Sequence, residues 1–178
     1  MYLGAAALLF LFIRARKKPA INNNSAMPLT DENIKEGFKK IFDEFGREKT
    51  ERLEQLFRWE TSHFRSGQFK GGFSPGMEPS PNTNRVFPFG WTSLKKFADA
   101  YSIPYSSFYI TGPYTEGGTG RQKFFVGFPN VYTSMLFVMY VISRRGWNFG
   151  KWRAFDETIS NDYNNKLNTV IPRITRTF

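Results

Sequence analysis

The chain has 178 residues, enough for one domain, and its content of 40% hydrophobic and 18% aromatic residues is too apolar for an intrinsically disordered protein. The formal net charge of +10 favours an anionic partner such as a cell envelope, a membrane surface or a nucleic acid. The sequence contains no cysteine and one histidine, His63, which excludes disulfides, thiolate chemistry and a histidine-rich metal site, and nothing in it implies an organic cofactor.

The first thirteen residues, MYLGAAALLFLFI, are uncharged, and a basic cluster follows them at Arg14, Arg16, Lys17 and Lys18. As a helix they would be about 20 Å long, which is short of the roughly 30 Å hydrocarbon core, although snorkelling arginines extend the reach. A cleaved signal peptide fits less well because no basic segment precedes the apolar run. We expect residues 1–18 to form a membrane anchor with a basic flank, in which residues 1–13 contact lipid. Residues 19–29 read as a polar linker.

The remaining residues, 30–178, are expected to form one domain that begins with two helices. The first helix spans DENIKEGFKKIFDEF, with Thr30 as its N-terminal cap and Gly46 at its end. The second runs from about Lys49 to Phe64. The following segment, Arg65 to Phe89, is rich in Gly, Ser, Pro and Asn, so it is expected to be a loop or an irregular hairpin.

The second half of the domain alternates helical and turn-rich patterns. Trp91 to Tyr101 is a helical pattern, and Ser102 to Gly127 combines aromatic runs with the turn-rich GPYTEGGTG, which favours a short β-hairpin. Val131 to Ile142 is apolar on almost every side, as expected of a central buried helix. Asn161 to Ile171 is a closing amphipathic helix whose apolar face carries Tyr163, Leu167, Val170 and Ile171. The predicted fold class is therefore mainly α, a helical domain with an irregular or small β-hairpin insert, preceded by an N-terminal membrane helix.

One acidic residue falls on the apolar face of the second helix. That face is defined by residues at helical spacing, namely Leu53, Leu56, Phe57 and Phe64. At about 100° per residue, Glu60 lies in the middle of this stripe. Glu51, Glu54 and Arg58 fall away from its centre, where solvent is expected.

A carboxyl group on a buried helix face loses hydration, so the pKa of Glu60 should rise unless a cation or several donors compensate. A carboxyl group that keeps its proton near neutral pH can protonate a glycosidic oxygen. The alternative is structural: Glu60 ends the buried part of the helix and pairs with one of the many Lys or Arg side chains. The pattern alone leaves both interpretations open.

The segment RWETSHFRSGQF, residues 58–69, resembles the catalytic-glutamate segment of the lysozyme superfamily, in particular lytic transglycosylases and glucosaminidase-type domains. Those families place a Glu near a helix end and follow it with Ser or Thr, an aromatic residue and a Gly/Ser-rich turn. The matching positions are Glu60, Thr61, Phe64, Ser66 and Gly67.

Two later segments, residues 89–101 and 125–152, resemble the helix after the active-site insert and the later core helix of those domains. The Gly-Leu-Met-Gln stretch of many transglycosylases is missing, and FPFGWTS, residues 87–93, stands in its place. The lining of the sugar groove is therefore not assigned by the resemblance.

The resemblance implies that the chain cleaves peptidoglycan glycan strands with Glu60 as the catalytic general acid and without a metal. Ser66 and Gln68 are candidates for hydrogen bonds to sugar amides. Tyr114 and Tyr132 are candidates for orienting the substrate or an intermediate. Glu116 is the best candidate for a second carboxyl group, and Glu78, in a Pro-rich loop, is a weaker one. If neither serves, one Glu can act as acid and then base in a transglycosylase, the reaction we favour. Each of these residues also has a plain reading as a loop, turn or core residue.

The basic cluster after the anchor would keep the domain cytoplasmic by the positive-inside rule, whereas an envelope hydrolase should face the other way. This conflict becomes smaller if the chain is a bacteriophage protein that is carried in an internal virion membrane or released at lysis. The competing function is a non-catalytic virion or membrane-associated protein that binds glycan or nucleic acid. Its basic aromatic surface would include Lys39, Lys40, Lys95, Lys96, Arg144 and Arg145. Nucleic acid is the less favoured partner because no nucleic-acid-binding motif is present.

Overall fold

The computed structural model describes residues 29–78, 92–116 and 119–178. The predicted membrane anchor, residues 1–18, and all but the last residue of the predicted linker lie outside these ranges. Among the helices inside them, none has the length and apolar character that crossing a bilayer requires. The described part is mainly helical with one small antiparallel sheet, so the prediction of a helical domain with a β-hairpin is confirmed at this level.

Six helices and two strands follow one another along the described chain. In order they are α1 Asp31–Phe45, α2 Arg47–Glu60, α3 Gly67–Gly72, α4 Thr92–Tyr101, β1 Tyr109–Thr115, β2 Gln122–Gly127, α5 Val131–Ser143 and α6 Glu157–Asn168. Single 3₁₀ turns lie at Tyr105–Ser107, Phe149–Trp152 and Thr175–Thr177. The strands form a hairpin whose register runs from Tyr109 opposite Gly127 to Thr115 opposite Gln122.

The core of the domain is built around α5. All but three of its thirteen residues are buried, which agrees with the apolar character predicted for this helix. The side chain of Asn130 caps it by accepting a hydrogen bond from the backbone N–H of Thr133 at 2.8 Å. Helix α1 packs along α5 through Ile34, Phe38 and Ile41. Both predicted ends of α1 are confirmed, by a Thr30 cap and a Gly46 with φ 81°.

Helix α2 ends earlier than the sequence predicted. It stops at Glu60, and the next residues form a turn in which Ser62, His63 and Phe64 all have positive φ. The Thr61 hydroxyl stabilises this turn by accepting a hydrogen bond from the Phe64 backbone N–H at 2.9 Å. The prediction of a helix to Phe64 was wrong because apolar spacing records only that Phe64 faces inward, and a turn achieves the same result.

Two other predicted boundaries also differ. The segment expected to be irregular between residues 65 and 89 contains the short helix α3, and its residues 79–89 lie outside the described ranges. Helix α6 begins four residues before the predicted start because Asp156 caps it, accepting a hydrogen bond from the Ile159 N–H at 3.0 Å. It also ends before Ile171, which is 57% exposed. Pro172 follows, and residues before proline disfavour helical backbone.

Glu54 was predicted to face solvent, and this prediction is wrong. Its side chain has no exposed surface, and its carboxylate accepts hydrogen bonds from the backbone N–H groups of Arg173, Ile174 and Thr175 at 2.8 to 3.1 Å. The Arg58 guanidinium pairs with it at 2.6 Å. Burial alone would raise the pKa of Glu54, but these donors and the Thr175 hydroxyl hold it below its usual value. One carboxylate thereby ties the C-terminal segment to α2.

Replacing this carboxylate tests its structural role. Glu54→Gln should lower the free energy of unfolding by about 3 kcal/mol, because an amide cannot accept all these hydrogen bonds and leaves Arg58 unpaired. Urea denaturation followed by circular dichroism measures the change. Because the folded-state pKa of Glu54 is depressed, its contribution is present above the ordinary value of 4.5 and is lost as the pH falls through the folded-state pKa. The difference in the free energy of unfolding between the wild type and Glu54→Gln should therefore become smaller at acidic pH.

Glu51→Gln is the matched control, since Glu51 pairs with Arg47 at 3.5 Å near the surface of the same helix. This change should alter stability by no more than about 0.5 kcal/mol. Equal effects of the two substitutions would contradict the role assigned to Glu54.

Candidate active site around Glu60

Glu60 is the last residue of α2 and lies half-buried between that helix and α6. Leu53, Leu56 and Phe57 on the same face of α2 are fully buried, so the apolar stripe turns Glu60 inward as its position in the sequence indicated. The Tyr163 hydroxyl, from α6, donates a hydrogen bond to the Glu60 carboxylate. Tyr163 is itself buried, with 5% of its surface exposed.

The environment of Glu60 favours its protonated form. Burial raises the pKa of Glu60 above its usual value, and the Tyr163 hydrogen bond and the positive charge of Arg153 offset only part of that effect. The pKa of Tyr163 is raised as well, by burial and by the neighbouring carboxylate, so this hydroxyl keeps its proton and acts as a donor. The ion pair considered as the alternative for Glu60 is not what holds it: in the described chain Arg153 acts through its charge, and Tyr163 makes the hydrogen bond.

The chain folds back over Glu60 after α3. Gly76 has φ 87°, and a Cβ atom built there would lie 3.2 Å from a carboxylate oxygen of Glu60. Glycine suits this position for two reasons, since it adopts positive φ without strain and leaves room for the carboxylate. The next residue is tied to the sheet, because the Val126 N–H donates to the Met77 carbonyl oxygen at 2.8 Å. The sheet therefore positions the covering loop.

Two of the predicted substrate-binding residues follow Glu60 closely. The Gln68 side-chain amide donates to the backbone carbonyl of Glu60 at 3.2 Å, so it supports the end of α2 directly. Ser66 precedes α3, and its hydroxyl is buried without a hydrogen-bond partner in the described part of the chain. Their roles in binding sugar amides stay predictions.

Tyr114 and Glu116 lie on and beside the hairpin. The Tyr114 ring packs against the side of α3 that carries Gly67, where an added Cβ atom would come within 2.8 Å of the ring. The Tyr114 hydroxyl contacts the Thr111 hydroxyl. Glu116 binds Lys123 at 2.7 Å. That hydrogen bond and a second one from the Thr119 hydroxyl lower the pKa of Glu116. Both side chains therefore already have structural partners, and the substrate roles predicted for them stay untested.

Tyr132 lies on α5 and faces α1. The Lys40 ammonium is 5.6 Å from its ring centroid, and burial together with Glu44 raises the pKa of Tyr132 to about 12. These contacts place Tyr132 among α1 residues, while the hydrogen-bond partner of Glu60 comes from α6. The role of Tyr132 in orienting an intermediate also stays a prediction.

Sequence reasoning missed three residues that surround Glu60. Tyr163 was assigned to the apolar face of the last helix, Arg153 had no assigned role, and Gly76 was one of many turn residues. A tyrosine on a buried stripe is a weak signal, because its hydroxyl needs a partner that the sequence does not name. The Ser-Pro-Gly-Met turn was a usable signal for Gly76, since glycine there permits a left-handed turn.

A cavity of about 510 Å³ lies at the same end of α2 but does not include Glu60. Its lining is partly basic and partly apolar: Arg58, Trp59, Ser62, His63, Thr169, Val170, Ile171 and Arg173. The side chains of Arg58 and Glu60 project from α2 in directions that differ by about 200° around the helix axis. The cavity therefore faces the far side of α2, and the solitary His63 lies on that side.

Comparisons with protein-family models, with curated proteins and with solved structures gave no match for this chain. The described residues contain no group of three or more His, Asp or Glu side chains that could hold a metal ion. The assignment of the candidate site therefore rests on the burial and the contacts of Glu60.

The raised pKa of Glu60 has a consequence for stability that opposes the one for Glu54. A carboxyl group that binds its proton more tightly when folded contributes stability below the unfolded-state pKa and loses it as the pH rises through the folded-state pKa. Glu60→Gln should therefore raise the free energy of unfolding by about 1 kcal/mol at pH 7. The gain should disappear near pH 4, as urea titrations at the two pH values will show. A loss of stability at pH 7 would contradict the assigned environment.

Proposed function

We propose that this chain cleaves the glycan strands of peptidoglycan, with Glu60 as the general acid of a lysozyme-like domain. The observation that carries the proposal is a half-buried carboxyl group whose pKa is raised by burial, with a buried tyrosine hydroxyl as a hydrogen-bond donor to one oxygen and Gly76 close to the other. Such a group still holds its proton at a pH where an exposed Glu has lost it. The resemblance of residues 58–69 to catalytic-glutamate segments supports the same assignment.

The proton transfer follows from the contacts of Glu60. The protonated carboxyl group gives its proton to the glycosidic oxygen while the bond between that oxygen and the anomeric carbon breaks. The resulting carboxylate is stabilised by the Tyr163 hydrogen bond and by the charge of Arg153. Because both interactions strengthen as negative charge forms, they favour the transition state more than the ground state.

The surroundings of Glu116 favour a transglycosylase over a hydrolase. A two-carboxylate hydrolase needs a second free carboxylate across the scissile bond, whereas Glu116 is bound by Lys123, which also pairs with Glu78 at 2.9 Å. In a transglycosylase, a hydroxyl of the sugar itself attacks the anomeric carbon. The Glu60 carboxylate then takes up the proton of that hydroxyl, and a single acid completes the reaction.

The remaining parts of the proposal rest on the sequence. Residues 1–13 would tether the domain to a bacterial envelope or to an internal virion membrane. The competing non-catalytic reading depends on free surface cations, but Lys39 pairs with Asp43 and Lys40 pairs with Glu36. This pairing weakens the case for a nucleic-acid surface on α1.

Product analysis tests the proposal and its reaction type together. The full chain in detergent should clear peptidoglycan in a zymogram, and Glu60→Gln should lower that activity by at least about 1000-fold because the proton donor is lost. Mass spectrometry should find 1,6-anhydro ends; reducing ends would identify a hydrolase instead. Glu116→Gln is the control, since it should keep most of the activity. Full activity of the Glu60→Gln protein, with its fold retained, would contradict the proposal.

The pH profile tests the contact between Tyr163 and Glu60. Tyr163→Phe removes a donor that lowers the pKa of Glu60, so the pKa should rise further. The upper limb of the kcat/KM profile reports loss of the catalytic proton and should move to higher pH, with a lower maximal rate. Tyr114→Phe is the control because that hydroxyl contacts Thr111, and it should leave the limb in place. A limb that moves to lower pH in Tyr163→Phe would contradict the assignment.

A further inference from the structure

The cavity on the far side of α2 is bounded by two segments that the fold brings together. One is the end of α2 with the turn that follows it, and the other is the segment after α6, residues 169–173. Its volume of about 510 Å³ lies within the range of small-molecule sites. Glu60 does not line this cavity, so the proposed catalysis leaves it without a role.

Hydrogen bonds from α2 hold the wall formed by residues 169–173. The Gln55 side-chain amide donates to the backbone carbonyl of Val170 at 2.9 Å. The Glu54 carboxylate accepts a hydrogen bond from the backbone N–H of Arg173 at 2.8 Å. A wall that is fixed before a ligand enters loses little conformational entropy on binding.

The opposite wall is a turn in a strained backbone conformation. Ser62 and His63 both line the cavity, and both have positive φ, of 48° and 58°. Residues other than glycine rarely adopt this conformation, and those that do are concentrated at ligand-binding and active sites. The His63 N–H donates to the Arg58 carbonyl oxygen at 2.8 Å, which holds the turn in place. The strain therefore lies in residues that face the cavity.

The polar part of the lining is cationic. Arg58 and Arg173 line the cavity together with Ser62 and Thr169, and no Asp or Glu among the described residues does. The charge of Arg58 is balanced by Glu54 at 2.6 Å. The Arg173 guanidinium pairs with no carboxylate in the part of the chain that the structure describes. The cavity therefore attracts an anion, which would give Arg173 an ionic partner.

The apolar part of the lining favours a flat ring. Trp59, which is 45% exposed, lines the cavity beside Val170 and Ile171. An aromatic ring stacks on an indole face and on the planar guanidinium of an arginine. An aliphatic chain gains only apolar burial from the same surroundings.

We propose that this cavity binds a planar aromatic ring that carries a phosphate group, which is the chemistry of a mononucleotide. The ring lies against Trp59 and Ile171. The phosphate accepts hydrogen bonds from the Arg173 guanidinium and from the hydroxyl groups of Ser62 and Thr169. A terminal phosphate suits these donors better than a carboxylate does, because it has three acceptor oxygens. The inference does not depend on the proposed function, since no lining residue takes part in the proposed proton transfer.

Calorimetric titration of the full chain in detergent with adenosine 5′-monophosphate tests this site. AMP is a suitable probe because it stays in water and does not enter detergent micelles. It should bind saturably, and about tenfold more tightly than either adenosine or ribose 5-phosphate, because each of these lacks one of the two recognised groups. A tenfold difference corresponds to about 1.4 kcal/mol of binding.

Two substitutions separate the contribution of the ring from that of the phosphate. Arg173→Gln should weaken binding of AMP and of ribose 5-phosphate about tenfold and leave adenosine binding unchanged, because it removes only the cation. Trp59→Leu should weaken binding of AMP and of adenosine about tenfold and leave ribose 5-phosphate binding unchanged. Trp59→Phe should recover part of the AMP affinity because it retains an aromatic face.

Arg176→Gln is the matched control. Arg176 is an exposed arginine of the same C-terminal segment that does not line the cavity, so this protein should bind AMP as the wild type does. The Arg173 side chain is exposed as well, and its backbone N–H is retained in the variant, so both proteins should unfold at the same urea concentration as the wild type. A wild type that shows no saturable binding of AMP would overturn the proposal. Equal effects of Arg173→Gln and Arg176→Gln would also overturn it.

A competition experiment identifies the source of the ligand, because the 5′ end of a nucleic-acid strand carries the same group as a free mononucleotide. A short 5′-phosphorylated DNA oligomer that displaces AMP supports a strand end as the ligand. Binding of AMP that this oligomer does not displace supports a free nucleotide.

The binding and cleavage measurements fail independently of each other. If the chain binds AMP as described but cleaves no peptidoglycan, the cavity site stands and the catalytic proposal fails. If the chain cleaves peptidoglycan but binds no AMP, the cavity site fails and the catalytic proposal stands.

Discussion

The packing of α2 against α6 and against the C-terminal segment sets the environments of two carboxyl groups on one helix, Glu54, which is buried, and Glu60, which is half-buried. Glu54 meets three backbone N–H groups, a hydroxyl and Arg58, so its charged form is well solvated by protein dipoles. Glu60, six residues later, meets one hydroxyl and a more distant cation. The number of donors that the tertiary structure supplies therefore determines which acid has its pKa lowered and which has its pKa raised.

Under the proposed function, this difference gives Glu54 a structural role and Glu60 a catalytic one. A carboxylate with every acceptor site occupied holds the chain end in place and has no lone pair left for a substrate. A carboxyl group with few donors destabilises the folded state when it ionises, and under the proposed function the same deficit lets it act as the proton donor.

The loop and the hairpin complete the environment of Glu60 without contributing a second free acid. Gly76 brings the backbone close to the carboxylate, and the bond between Val126 and Met77 anchors that loop to the sheet. The Glu116 carboxylate forms an ion pair with Lys123. Within the proposed function, a site with one acid, one tyrosine donor and a covering backbone loop favours a single-acid mechanism over a pair of cooperating carboxylates.

The sequence by itself determined the helical character of the domain, the hairpin, the buried α5 and the inward direction of Glu60. These features follow from local periodicity, which depends only on residues a few positions apart. Only the tertiary structure decided that Glu54 is buried and that Tyr163 donates to Glu60. Their partners lie more than a hundred residues away in the chain, and no local pattern encodes such a contact. The spacing of hydrophobic residues determines which face of a helix is buried. The hydrogen-bond donors that meet this face depend on how distant segments of the chain pack against it.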